Sequence, residues 1–248
     1  AILVPTTILA QQHFETFCKR FEDNPFIIDV ISRFRTVTEQ KKIIKRLQEG
    51  KIDVLIGTHR MLSTDVKFKD LGLLVVDEEQ RFGVKHKEKI KHFRASVDVL
   101  TLSATPIPRT LHMSLMGIRD LSLVNTPPAD RRAIRTRLLP ANEYIIQEAV
   151  SREIRRDGQV FIVHNSIDTI YEYGRYLDNI LPNVKIVIGH GQMREEKLEK
   201  VMLEFINGEF NVLLSTTIIE SGLDITNANT IIINNAHIFG LSQLYQLR

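Results

Sequence analysis

Residues 73–80, Leu-Leu-Val-Val-Asp-Glu-Glu-Gln, set four apolar side chains directly before three carboxylates, with Gly72 ahead of them. A run that short and that apolar suits a strand buried on both faces, the kind found inside parallel sheets. Its acids then emerge at the C-terminal edge, where open α/β sheets bind ligands. The first of them, Asp77, has the chemistry to hold a hydrated magnesium ion, because Mg2+ prefers oxygen ligands and keeps most of its waters. The second, Glu78, can orient and deprotonate a water attacking phosphorus. An acidic loop behind a core strand is the simpler reading of an isolated Asp-Glu-Glu, so the neighbouring segments have to decide.

The 248 residues are 43% hydrophobic and 25% charged, an ordinary globular composition and enough for two domains of modest size. No apolar run reaches the roughly 18 residues of a membrane span, and no signal-peptide pattern opens the chain. The single Cys18 rules out an internal disulfide and a cysteine-based zinc cluster, so a reducing, cytoplasmic setting is expected. A net charge of +3 permits a polyanionic partner without requiring one. The chain opens at Ala1 inside an apolar run and stops at Arg248 just after a helix-like run. Both ends read as cuts through a longer protein.

Along the first half, the apolar run 2–4 leads into Pro5-Thr6-Thr7 and a helix carrying Leu9, His13, Phe17 and Phe21 near one face. Thr6 and Thr7 suit capping of that helix, and free N–H groups there suit an anion. A second amphipathic helix spans 38–49 with Ile43, Ile44 and Leu47 inward, and Gly50 stops it. The strand 52–56 closes in Gly57-Thr58-His59-Arg60, a polar loop whose donors suit phosphate. After the acidic strand, the basic stretch 85–91 reads as a solvated helix face. The next strand, 97–102, ends in Ser103-Ala104-Thr105-Pro106. Ser103 and Thr105 there are small hydroxyl residues within reach of a neighbouring strand's acids, and the proline stiffens the exit.

The Pro-Pro and charges of residues 125–132 mark an inter-domain connection. A β-like stretch over 134–139 follows, then a helix over 142–157, a strand over 160–163 closing in His164-Asn165-Ser166, and a helix over 167–180. Next come a strand over 185–188, a helix with Leu198, Val201, Met202 and Phe205 as its core stripe, and strands over 212–214 and 230–233. Strand–helix alternation throughout predicts parallel sheets with right-handed crossovers in both halves. No short internal repeat is evident. His190 sits between glycines and lacks partners at ligand spacing, so it is not read as a metal ligand.

Taken in order, Pro5-Thr6-Thr7, Gly57-Thr58-His59, Asp77-Glu78-Glu79-Gln80 and Ser103-Ala104-Thr105 resemble superfamily 2 helicase motifs Ia, Ib, II and III. His164-Asn165, residues 216–224 and residues 243–248 resemble motifs IV, V and the start of VI. Three longer stretches, residues 32–35, 65–72 and 80–84, are similar to the transcription-repair coupling factor family, with RecG helicases as nearest kin. Gln80 stands where that family usually has His, and it keeps both a donor and an acceptor.

The resemblance implies two RecA-like parallel-sheet domains facing each other across a nucleotide cleft. Residues 1–122 would be the ATP-binding domain, 123–141 a linker and 142–248 the helicase C-terminal domain. It implies ATP and Mg2+ as cofactors, with Asp77, Glu78, Gln80, Ser103 and Thr105 at the reacting centre. Gly222, Asp224 and Gln246 would approach the nucleotide. Pro5, Thr6, Thr7, Thr58, His59, Arg60, His164, Asn165, Thr216 and Thr217 would hold nucleic acid. Double-stranded DNA is the implied substrate, with RNA polymerase and excision-repair proteins as partners met through other segments. A RecG-type role on replication forks and a catalytically inactive DNA- or protein-binding pair are the two rival readings.

One component of such ATPases has no counterpart in these residues. The Gly-rich loop ending Gly-Lys-Ser/Thr does not occur among them. In the family it precedes the point where Ala1 stands, and the motif VI arginine fingers follow Arg248. These 248 residues alone are therefore expected to hydrolyse no ATP.

Overall fold

Short β-branched runs separated by amphipathic helices fold here into two all-parallel sheets. The computed structural model describes residues 1–93, 96–103, 122, 124, 126, 134–216 and 225–247, with Ser242, Tyr245 and Gln246 described in their backbone only. The chain divides into two units, Ala1–Ala104 and Thr105–Arg248.

The first unit runs β1 (Ile2–Leu3), α1 (Thr7–Arg20), β2 (Ile28–Ile31), α2 (Val37–Gln48), β3 (Val54–Gly57), β4 (Leu73–Asp77), α3 (Val84–Phe93) and β5 (Asp98–Leu102). Its sheet has the order β2-β3-β1-β4-β5. Leu3, Ile31, Leu55, Leu74 and Ile90 are almost fully buried around it, each contributing about 1.5–3 kcal/mol by leaving water. Thr36 caps α2 through a reciprocal pair with Glu39, and Ile43, Ile44 and Leu47 face the sheet as their spacing predicts. Gly50 ends the helix with φ +73°, a left-handed conformation that glycine adopts without strain.

Strand β2 was not legible in the sequence. Its apolar run is broken by Asp29, which is buried on the strand and accepts from Arg46 of α2 at 2.9 Å. A buried charge needs such a partner, so the polar residue that hides the strand also ties it to α2.

The second unit runs α4 (Glu143–Ile154), β6 (Gln159–Val163), α5 (Ile170–Ile180), β7 (Ile186–Gly189), α6 (Glu195–Ile206), β8 (Val212–Ser215), β9 (Ala228–Ile233) and α7 (Leu241–Leu247). Its sheet has the order β7-β8-β6-β9. All of β6 and β8 is buried, the mark of strands covered on both faces. Val201, Met202 and Phe205 are the buried stripe of α6, while Leu198 is half-buried. Asn142 caps α4 by accepting from the Tyr144 N–H at 2.9 Å. Residues 134–139 form no strand, contrary to the β-like reading, and they are largely exposed. A segment of strand-like composition that pairs with no strand among the described residues has no ladder to join. Of the expected linker 123–141, residues 123, 125 and 127–133 lie outside the described ones.

Candidate functional site

Register decides which side chains meet. In the first sheet Leu3 pairs with both Gly57 and Val76, Ile31 with Gly57, and Asp77 with Leu102. The loops 5–7, 58–60, 77–80 and the residue Ser103 therefore leave one C-terminal edge together. A Cβ on Gly57 would lie 2.6 Å from the Ile31 side chain and backbone, so only glycine lets β3 end this close to β2.

Asp77 ends β4 with its side chain 19% exposed, and His13 Nε2 from α1 stands 3.5 Å from its Oδ2. Glu78 is 3% exposed and adopts φ 50°, ψ 51°. That left-handed conformation is unusual for a residue with a long side chain. Gln80 Nε2 donates to Glu78 Oε2, so this amide grips the second acid directly. Its own Oε1 is buried without a partner among the described residues. Ser103 follows β5, the strand neighbouring the acids, and is exposed; Thr105 lies outside the described residues.

Thr6 caps α1, its hydroxyl accepting from the Leu9 N–H at 3.3 Å. Pro5 precedes it half-buried, and Thr7 is buried at the first helical position. Thr58 is buried without using its side chain as a cap. His59 is exposed and stacks on His86 of α3 with ring centres 5.4 Å apart. The Arg60 guanidinium is committed inside the unit, donating to both Asp65 oxygens at 2.7 and 2.6 Å and to Gln40 at 3.0 Å.

In the second sheet Val163 pairs with Ser215 and Ile233, and Gly189 with Ser215. His164, Asn165, His190, Thr216 and Asn234 thus share an edge. His164 is buried, with Nε2 on the Thr169 hydroxyl at 2.8 Å and Nδ1 receiving the Asn234 amide at 3.1 Å. Tyr173 stacks on the ring at 4.8 Å. Burial holds this imidazole below its ordinary value, and it pushes the Tyr173 phenol up to about 12. His190 is buried against Tyr171, whose hydroxyl lies 2.8 Å from Nε2. Asn165 is exposed and Thr216 is buried. Thr217, Gly222 and Asp224 lie outside the described residues, as does the side chain of Gln246 on α7.

The structure also contains an arrangement the sequence reading missed: the acidic turn occurs twice. After β4 come Glu78 in the left-handed region, a 3-10 turn Glu79–Arg81, buried Phe82 and then Gly83. After β9 come Asn235 with φ 52°, ψ 49°, a 3-10 turn Ala236–Ile238, buried Phe239 and then Gly240. The signal was present as an aliphatic residue six positions before Phe-Gly, Val76 in one case and Ile233 in the other. In the second copy Asn234 and Asn235 stand where Asp77 and Glu78 stand in the first. Amides cannot replace carboxylates as charged oxygen ligands, so the chemistry belongs to the first copy.

Asp77 and Glu78 offer the hard oxygen donors that Mg2+ takes when most of its shell is water and phosphate. Among the described residues no group of three or more His, Cys, Asp or Glu side chains forms a closed metal cage. That donor set fits a magnesium ion shared with a nucleotide and does not suit a structural zinc.

Residues 1–114 match the DEAD/DEAH box helicase family, and residues 141–248 match the helicase conserved C-terminal domain. Each half of the chain thus matches a helicase domain family. It is 56% identical over all 248 residues to the transcription-repair-coupling factors of Staphylococcus haemolyticus and Staphylococcus aureus, covering 21% of each. It thus spans about a fifth of the length of these curated relatives. Among solved structures it is similar to RecG bound to a three-way DNA junction, with 38% identity and TM-score 0.81 over 99% of this chain and 33% of that one. Saccharomyces cerevisiae Dbp5 bound to RNA and ADP BeF3, at 17% identity and TM-score 0.63 over 93% of this chain and 60% of that one, shares the fold. Both units are RecA-like helicase domains. No helix among the described residues is long and apolar enough to cross a membrane.

Proposed function

We propose that this chain is the motor of an ATP-driven double-stranded DNA translocase acting in transcription-coupled repair. The observation that carries the reading is the adjacent pair Asp77 and Glu78 at the C-terminal edge of a parallel sheet, the second acid buried and gripped by Gln80. Residues 1–122 act as the ATP-binding domain and 142–248 as the C-terminal domain, joined by 123–141. Asp77 holds Mg2+ through water, and that ion neutralises phosphate charge when bound. Glu78 orients and deprotonates the attacking water. Ser103 and Thr105 link the acids to domain movement, and Gly222, Asp224 and Gln246 complete the nucleotide site.

Pro5, Thr6, Thr7, Thr58 and His59 on one unit, and Asn165, Thr216 and Thr217 on the other, grip the phosphate backbone without regard to sequence. Arg60 and His164 serve that grip from behind, because their polar atoms are held by Asp65, Gln40, Thr169 and Asn234. Closure on ATP moves one grip relative to the other, and release after hydrolysis resets it. Identity of 56% to transcription-repair-coupling factors, against 38% to RecG, favours a motor working on stalled RNA polymerase with excision-repair proteins over one working on forks. Those partners are met through other parts of the whole protein.

In the full-length protein, Glu78→Gln keeps ATP binding and abolishes DNA-stimulated hydrolysis. Parental turnover in that variant removes Glu78 from its role.

A further inference from the structure

Helix α1 carries two separate features at its two ends of influence. It begins at Thr7, at the end of the loop Pro5–Thr7, and is capped by Thr6. Six residues beyond Thr7, about 9 Å along the axis at 1.5 Å per residue, His13 directs Nε2 to within 3.5 Å of Asp77 Oδ2. Both side chains are partly exposed, at 33% and 19%, so the pair sits at the mouth of the acidic site and outside the core. The separation is within electrostatic reach but longer than a formed hydrogen bond. A shift of the helix by well under an ångström makes or breaks the contact.

We propose that His13 is a positioning residue that couples the DNA grip at Pro5–Thr7 to the magnesium-holding carboxylate Asp77. The inference rests on the assignment of Asp77 made above and adds a residue to it. Three things on the molecule support it. α1 is a continuous 14-residue helix, stiff enough to pass a displacement of its N-terminus to its second turn. The N-terminus is where phosphate would meet free N–H groups and the helix dipole. The side chain that reaches Asp77 is an N–H donor, and a donor fixed on one carboxylate oxygen orients the other toward a metal-bound water. DNA seated on the first turn thus draws His13 onto Asp77 and fixes the carboxylate in its working orientation. Without DNA the carboxylate is held less firmly.

The test uses the full-length protein containing this chain. His13→Leu keeps comparable bulk and helix propensity but removes the N–H, whereas His13→Gln keeps an N–H at similar reach. His13→Leu is expected to lower DNA-stimulated ATP turnover about tenfold and to weaken Mn2+ binding beside a non-hydrolysable ATP analogue about tenfold, the latter read by electron paramagnetic resonance. DNA affinity at fixed salt stays within about twofold, and His13→Gln recovers most of both losses. A Leu variant with parental Mn2+ binding overturns the proposal. So does an equal loss in the Leu and Gln variants, the pattern of a merely structural residue, and so does a fall in DNA affinity that matches the fall in turnover. A parent protein with no DNA-stimulated turnover at all would instead sink the ATPase assignment, a result distinct from an active parent whose metal affinity ignores position 13.

Discussion

Glu78 occupies a backbone conformation that costs an L-residue about 1–2 kcal/mol, and its carboxylate is only 3% exposed. Neither feature helps the fold, so both should be removable without loss of stability. The second copy of the turn supplies the replacement, because Asn235 holds φ 52° at the matching place. Asparagine tolerates this region better than glutamate. Glu78→Asn relieves about 1 kcal/mol of backbone strain and a desolvation cost of about 1–3 kcal/mol. Against this stands the lost hydrogen bond from Gln80, about 1.5–3 kcal/mol for a charged acceptor. The sum runs from about −1 to about +2.5 kcal/mol and centres just under about 1 kcal/mol in favour of the variant, which is about 3 °C in melting temperature for a domain of this size. Catalytically the change removes a general base, so DNA-stimulated phosphate release falls about 1000-fold. Calorimetry and a coupled phosphate assay on the full-length protein read the two effects separately. A variant that melts more than about 3 °C lower would show that Glu78 is a structural residue, and one that keeps turnover would show that it is no base.

Other changes follow from local geometry. Asn142→Ala removes the cap of α4 and costs about 1 kcal/mol, readable as a lower urea midpoint; no change means that the bond to the Tyr144 N–H contributes nothing. His164 titrates below 6.5 in the folded chain because it is buried, so as pH falls through about 6.5 the unfolded state takes up the proton first. Stability then declines below that pH, and His164→Gln flattens that part of the profile; an unchanged slope contradicts the burial argument. Arg46→Met leaves the buried Asp29 carboxylate with the Val30 N–H but without its cation and destabilises the first unit by about 1–2 kcal/mol, measured by urea unfolding, whereas a loss under about 0.5 kcal/mol would mean that water already serves Asp29.

Much of the fold was legible because the two periodicities rarely conflict. Ile43, Ile44 and Leu47 repeat at helical spacing and are buried, and the run before Asp77 does form a strand, but it is not buried on both faces as expected: Leu74 and Val76 are buried while Leu73 is exposed and Val75 half-buried. Strand β2 was lost because burial of Asp29 depends on Arg46, a partner 17 residues away that no local pattern reveals. The reading of 134–139 as β-like failed for the opposite reason, since strand-like composition supplies no neighbour to pair with. At the site, sequence named Asp77 and Glu78 but had no means of giving the left-handed turn at Glu78 or the approach of His13. Both are set by how loops of different strands converge on one sheet edge. His164 and Arg60 show the same limit: their residue types suit phosphate, yet their polar atoms are occupied within their own units.

The proposed motor requires that ATP change the distance between the two units, and measuring that distance tests it most directly. Val37 on α2 and Tyr144 on α4 are exposed, so spin labels placed there in the full-length protein, with competing cysteines removed, report the separation of the units by pulsed electron resonance. A non-hydrolysable ATP analogue with DNA is expected to shift a broad distribution to a narrow one at a new mean, and Glu78→Gln to trap that narrow state with ATP itself. A distribution that is the same with and without nucleotide would contradict it.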